Sequence, residues 1–241
     1  MSSAARWTAF WVVVVGCLGF VAFVATHGVK PPPAADGVLY SAPATTAASP
    51  TPTVDPTVAL FVGDAYTVGS GTGSKPNSFA SRACTTLKWT CYYDAQASSG
   101  YVTAGVQSNG TQSKTYGDRL KADKKYTPDV VVVSGGRADS GKAGVQAAAT
   151  DYLEAVTKQF SDAKLVVLEP FWNNATPTQQ IVAVRTAVQK AADAAGATYV
   201  STTDWLTDAQ IGPDGVLPTT SGHKALAKKL VAALRAEGLD A

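Results

Sequence analysis

The chain contains 241 residues, of which 46% are hydrophobic and 16% are charged. This length corresponds to one folded domain with additional segments. The net charge is only +2 at pH 7, and basic residues do not alternate with aromatic residues in any run. The composition therefore gives no indication of nucleic-acid binding, and no nucleic-acid partner is expected.

The amino-terminal segment is uniformly apolar. Residues Trp7 to Thr26 carry no charge over their whole length, and a helix of about 20 apolar residues spans the hydrocarbon core of a bilayer. The sequence predicts a short tail at residues 1–6 and an uncleaved transmembrane signal anchor at residues 7–27. The protein is then expected in the cell membrane as a single-pass protein, with its folded domain on the extracytoplasmic side.

Two alternatives stay open for this segment. A cleaved signal peptide has an apolar region of about 7–15 residues and ends at a small-x-small site, whereas Phe20 and Phe23 occupy the critical positions here. Lipidation at Cys17 is the second alternative, because "VVGC" resembles a lipoprotein cleavage box. The residues after Cys17 remain apolar, which favours the uncleaved anchor. Lipidation would tether the same domain to the same face.

A linker follows the apolar segment. Residues 28–57 are rich in proline, alanine and threonine, a composition that does not bury a hydrophobic core and favours an extended spacer. The folded domain is therefore expected at residues 58–241.

Two cysteines, Cys84 and Cys91, lie in this domain. Metal binding would need further ligands, and the sequence places none near them. Beyond a membrane anchor the surroundings are oxidising. The sequence therefore predicts a disulfide that joins the end of a helix to the next strand and contributes about 2 kcal/mol.

The domain alternates short β-branched runs with longer helical segments. Strands are predicted at residues 58–62, 89–93, 129–134, 164–169 and 198–202. Helices are predicted at residues 78–88, 142–160, 178–195 and 221–237. Four of the strands are nearly apolar throughout, which is typical of strands buried on both faces. The pattern predicts an α/β fold, a three-layer α/β/α sandwich around a five-stranded parallel sheet.

Four loops rich in glycine and small residues fall where such a sheet binds ligands, beyond the carboxyl ends of its strands. They are "GDAYTVGSG" at 63–71, "ASSGYVTAG" at 97–105, "SGGRADSG" at 134–141 and "GPDGVLPTTSGH" at 212–223. Each loop alone is an ordinary turn. Their shared position predicts that they meet in space.

In order and spacing, these loops resemble the motifs of the SGNH hydrolase superfamily, also called GDSL esterases. The resemblance is to its small extracytoplasmic members from actinobacteria and extends over residues 58–241. It implies the SGNH fold, which is flavodoxin-like. It also implies ester hydrolysis by a serine nucleophile, a histidine base and an orienting aspartate. The oxyanion hole of the family combines backbone N–H groups of the serine and a glycine with an asparagine side chain.

This chain departs from the family pattern at the chemically active positions. Ala65 stands at the serine position, Ala138 at the asparagine position and Leu217 at the histidine position. Gly100 matches the oxyanion glycine, and Asp214 matches the triad aspartate. Without a hydroxyl and an imidazole, the triad chemistry has neither its nucleophile nor its base.

The resemblance therefore implies a pseudoenzyme whose cleft binds an acyl chain, an acetylated glycan or a protein loop. One alternative is an active cell-envelope esterase or acyltransferase rewired around His223 and Asp214. Another is a structural spacer. No cofactor is expected, and no metal site is expected because the carboxylates of the cleft have no recognisable ligand spacing.

Overall fold

The computed structural model describes residues 55–72, 75–173 and 176–240. The predicted tail, the predicted anchor at 7–27 and the linker as far as residue 54 lie outside the described residues, as does Cys17. Within the described ranges, no helix combines the length and apolar character needed to cross a bilayer.

Five parallel strands form one sheet in the spatial order β2-β1-β3-β4-β5. The strands are β1 (Val58–Gly63), β2 (Thr90–Ala95), β3 (Val130–Ser134), β4 (Lys164–Leu168) and β5 (Thr198–Val200). This is the flavodoxin-like order, which has its topological switch point between β1 and β3. The prediction of a five-stranded parallel sheet is confirmed, with strand ends displaced by no more than two residues.

Six α-helices surround the sheet in the described residues. They are α1 (Ala65–Val68), α2 (Phe79–Leu87), α3 (Tyr116–Leu120), α4 (Val145–Gln159), α5 (Gln179–Ala194) and α6 (Thr220–Ala236). Side chains of Ser78, Thr178 and Thr219 cap α2, α5 and α6 by accepting a backbone N–H of the first turn. These caps stop the helices from extending into the loops that precede them.

The helices form layers on both faces of the sheet. Alternate side chains of β1 and β3 point to opposite faces, because successive residues of a strand do so. Phe61 and Val132 pack on α2 and α6, whereas Leu60 and Val131 pack on α4 and α5. The predicted three-layer α/β/α architecture is confirmed.

Two local features differ from the sequence prediction. Strand β2 is an edge strand, and its tyrosines Tyr92 and Tyr93 are exposed. Its aromatic composition alone does not distinguish it from a buried strand. The short helix α3 was not predicted, because its five residues include a glycine and are too few to show a period. The fully buried side chain of Tyr116 anchors this helix to the core instead.

A disulfide joins Cys84 in α2 to Cys91 in β2. The turn between them ends α2 at Lys88, which has the left-handed conformation (φ 59°). The bond therefore links the carboxyl end of a helix to the next strand of the sheet.

Candidate functional site

A cleft of about 940 Å³ lies at the carboxyl ends of the strands. It is lined by residues 64–66, 68–71, 97–99, 137–138, 214 and 216–217, together with Lys75 and Ser108. The four loops singled out in the sequence thus meet at one place.

The loop after β1 is a sharp strand-to-helix turn. Asp64 caps the one-turn helix α1, and its carboxylate accepts the Tyr66 N–H at 3.0 Å. Gly69 ends the helix with φ 88°, a conformation that glycine adopts without strain. Burial raises the pKa of Asp64 to about 6, because the surrounding protein disfavours the charged form. The turn has the form of a nucleophile turn, but it presents the methyl group of Ala65 to the cleft.

Ala138 and Leu217 also line the cleft. Leu217 is partly buried and packs against the core on the side of α2 and α6. Asp214 is exposed, and its Oδ1 accepts the N–H groups of Val216 and Leu217, each at 3.0 Å. These two bonds lower the pKa of Asp214, so it is a carboxylate at neutral pH. The carboxylate is present, but no imidazole stands beside it at position 217.

Gly100 is buried behind the cleft and has a different role from the one that the resemblance implies. Its N–H donates to the carbonyl of Thr103 at 2.9 Å and is therefore not presented to a ligand. The fully buried carboxylate of Asp139 accepts the N–H groups of Tyr101 (2.7 Å) and Thr103 (2.9 Å). A Cβ atom at position 100 would overlap this carboxylate. Glycine is needed here so that the loop can lie against Asp139.

His223 is a structural residue in this geometry. It is fully buried at the start of α6, where its Nδ1 accepts the Phe79 N–H at 3.1 Å. Its Nε2 lies 3.0 Å from the Ser70 carbonyl, which requires an N–H donor at that nitrogen. Burial lowers the pKa of the ring. Both ring nitrogens are hydrogen-bonded to backbone atoms. The structure therefore does not contain a catalytic site rewired around His223.

Tyr66 joins the first and last loops across the cleft. Its hydroxyl donates to the Val216 carbonyl at 2.5 Å, and its ring stacks on Phe171 with 5.2 Å between centroids. Burial raises the pKa of this hydroxyl to about 12, against the opposing effect of the nearby Arg137. Tyr66 is therefore a neutral hydrogen-bond donor that links the first and last loops of the cleft.

Arg137 is the cleft residue that sequence reasoning missed. It lies in the 3-10 turn Arg137–Asp139 after β3, with its guanidinium 4.2 Å from the centre of the Trp172 ring. Trp172 is distant in sequence, so no local motif indicates the pair. The sequence signal was the "GGRAD" loop itself, in which Arg137 is the one basic residue.

A family model for the GDSL-like lipase/acylhydrolase family matches residues 61–225. The chain belongs to this family. The match begins within β1 and covers the other four strands and all four cleft loops. No curated protein matches the chain by sequence.

Solved structures with the same fold include members of this family and carbohydrate esterases. A family two carbohydrate esterase from Clostridium thermocellum, in complex with cellohexaose, has a TM-score of 0.60 and 16% identity, covering 76% of this chain and 66% of that one. A carbohydrate esterase family 2 enzyme from Corynascus thermopiles has a TM-score of 0.59 and 20% identity, covering 77% and 68%. A G-D-S-L family protein from Desulfitobacterium hafniense has a TM-score of 0.57 and 16% identity, covering 74% and 99%.

At these identities the similarity shows the GDSL-like fold and not a shared substrate. The chain spans about two thirds of the length of the Clostridium thermocellum esterase. The described ranges contain no group of three histidine, cysteine, aspartate or glutamate side chains placed to hold a metal ion.

Proposed function

We propose that this protein is a catalytically inactive member of the GDSL-like family, which uses the former active-site cleft to bind a ligand or partner of the cell envelope. One observation carries the proposal. The strand-to-helix turn after β1 is formed, yet the residues that line the cleft at the nucleophile and base positions are Ala65 and Leu217.

Neither residue has a neighbour that substitutes for it. Cleft serines such as Ser70 need a general base for activation, and His223, the sole histidine of the described residues, has both ring nitrogens bonded to backbone atoms. Ala138 offers no side-chain donor to an oxyanion, a loss that costs about 2.7–4 kcal/mol of transition-state stabilisation in serine hydrolases. Binding without turnover is what these residues support.

The proposed location is the outer face of the cell membrane. The uncharged segment at residues 7–27 supports a single-pass anchor. The disulfide between Cys84 and Cys91 supports an oxidising compartment. The proposed ligand is an acyl chain, an acetylated glycan or a protein loop.

Restoring the lost groups tests the proposal. The purified full-length chain is assayed against short p-nitrophenyl esters beside an Ala65→Ser, Ala138→Asn, Leu217→His variant. We expect no turnover above buffer for the unaltered chain. The restored variant should exceed it by at least about hundredfold, since a positioned general base alone contributes about 10²–10⁴. Turnover by the unaltered chain that Ser70→Ala abolishes would overturn the proposal in favour of an active esterase.

A further inference from the structure

One guanidinium in the cleft, that of Arg137, is only partly hydrogen-bonded by the protein, with the Tyr66 hydroxyl as a nearby polar partner. Arg137 lines the cleft, and its Nη1 atom is buried and has no hydrogen-bond partner among the described residues. A buried charged donor without an acceptor is costly. Where Arg137 lines the cleft, a ligand acceptor forms a charge-assisted hydrogen bond with it.

The guanidinium is also held in place before any ligand arrives. It stacks on the Trp172 ring at 4.2 Å, and stacking occupies the face of the group while leaving its in-plane N–H donors available. The turn beneath it is tightly packed. Gly136 has φ 104°, and a Cβ atom there would lie 3.3 Å from Pro170 and 3.4 Å from Tyr101. This turn has little freedom to carry Arg137 away from the cleft.

The described carboxylates of the cleft form no ion pair with Arg137, which is therefore available to a ligand. No carboxylate of the described residues forms an ion pair with it, the pairs found there being Arg119–Asp94 and Arg185–Glu169. Asp64 accepts the Tyr66 N–H, and Asp214 accepts two backbone N–H groups. Both carboxylates are thus bonded to their own loops, and they act on Arg137 only at longer range.

The cleft has an apolar part around the lost nucleophile, although Ser70, Ser98 and Lys75 also line the cleft. Ala65, Val68, Ala97 and Leu217 line it, in a volume of about 940 Å³. The family's serine and histidine positions thus contribute a methyl group and an isobutyl group. These surfaces fit a hydrocarbon chain and provide no polar partner for its end.

The geometry points to an organic acid as the ligand, with its carboxylate bound by Arg137 and its apolar chain lying against Ala65, Val68 and Leu217. A carboxylate accepts two parallel N–H bonds from a guanidinium, whereas an ester or amide is neutral and offers a single carbonyl oxygen. The inference rests on the proposed function, since it names the ligand class of the same non-catalytic cleft. The protein then binds acids, the products of its relatives' chemistry, in preference to esters.

Butyrate and butyramide are the matched probes for this inference, because they have the same shape and differ in charge. Their binding to the purified full-length chain in nonionic detergent is measured by calorimetry at neutral pH, with detergent alone as the blank. We expect the chain to bind butyrate at least about tenfold more tightly than butyramide. Arg137→Gln should remove this preference. Arg137→Lys, which keeps the charge but not the planar fork, should retain part of it.

Arg235→Gln is the control variant, since it removes the same charge from an exposed position on α6. It should bind both probes as the unaltered chain does. Equal binding of the two probes, a preference that survives in Arg137→Gln, or no binding of butyrate would each overturn the inference. None of these results produces ester turnover, so they leave the absence of catalysis intact. Turnover would instead overturn the proposed function itself.

Discussion

Replacing His223 by leucine removes two buried hydrogen bonds without creating a large cavity. The Phe79 N–H loses the acceptor Nδ1 at 3.1 Å, and the Ser70 carbonyl loses the donor Nε2 at 3.0 Å. Each buried group left without a partner costs about 1–3 kcal/mol. We therefore expect the free energy of unfolding to fall by about 2–6 kcal/mol. For a domain of this size, that lowers the melting temperature by about 5–20 °C.

The assay is urea unfolding followed by circular dichroism, with disulfides kept oxidised. Lys224→Leu is the matched control, since Lys224 is exposed on the next position of the same helix, and it should change stability by less than about 0.5 kcal/mol. A loss below about 1 kcal/mol for His223→Leu would refute the structural role assigned to His223. It would also leave the ring available for chemistry.

Two further predictions concern backbone packing and a buried carboxylate. Gly100→Ala should cost about 1–3 kcal/mol in thermal unfolding, because the new Cβ overlaps the Asp139 carboxylate. Gly117→Ala, whose Cβ meets nothing closer than 4.0 Å, should be neutral or stabilising, and equal effects of the two changes would contradict this assignment. Asp123→Asn should stabilise the domain near pH 8, because it removes a buried carboxylate that lies beside Asp94. Burial, and then the Asp94 carboxylate, raise the pKa of Asp123 from 3.8 to about 7, against the opposing effects of Arg119 and Lys125. The folded state thus binds the proton more tightly than the unfolded state, and stability is lost as pH rises from about 4 to 7. The gain measured for Asp123→Asn in urea titrations should grow over this range, and a gain independent of pH would contradict the reasoning.

The sheet was predictable from the sequence because its central strands are buried on both faces. Runs such as "DVVVVS" leave a strand no polar side to expose, and they therefore identify β1, β3 and β4 directly. The meeting of the four loops also followed, since parallel strands place their carboxyl ends at one edge. Local sequence did not predict α3, whose position depends on the burial of Tyr116 in the core.

The site was predictable only in part, because hydrogen bonds between distant loops decide what each residue can do. Ala65 cannot act as a nucleophile and Leu217 cannot act as a base, and both facts follow from their side chains alone. The engagement of the Gly100 N–H with Thr103 depends on the fold of the loop held by Asp139. The stacking of Arg137 on Trp172 joins the loops after β3 and β4, and sequence spacing carries no information about it.

Covalent labelling tests the central claim, that the cleft has no activated nucleophile. The full-length chain is treated with an alkyl fluorophosphonate, and its intact mass is then measured, with the Ala65→Ser, Ala138→Asn, Leu217→His variant treated in parallel. We expect no adduct on the unaltered chain and one adduct, at position 65, on the restored variant. A stoichiometric adduct on Ser70 or another cleft serine of the unaltered chain would contradict this expectation, provided that protein denatured before labelling forms no adduct.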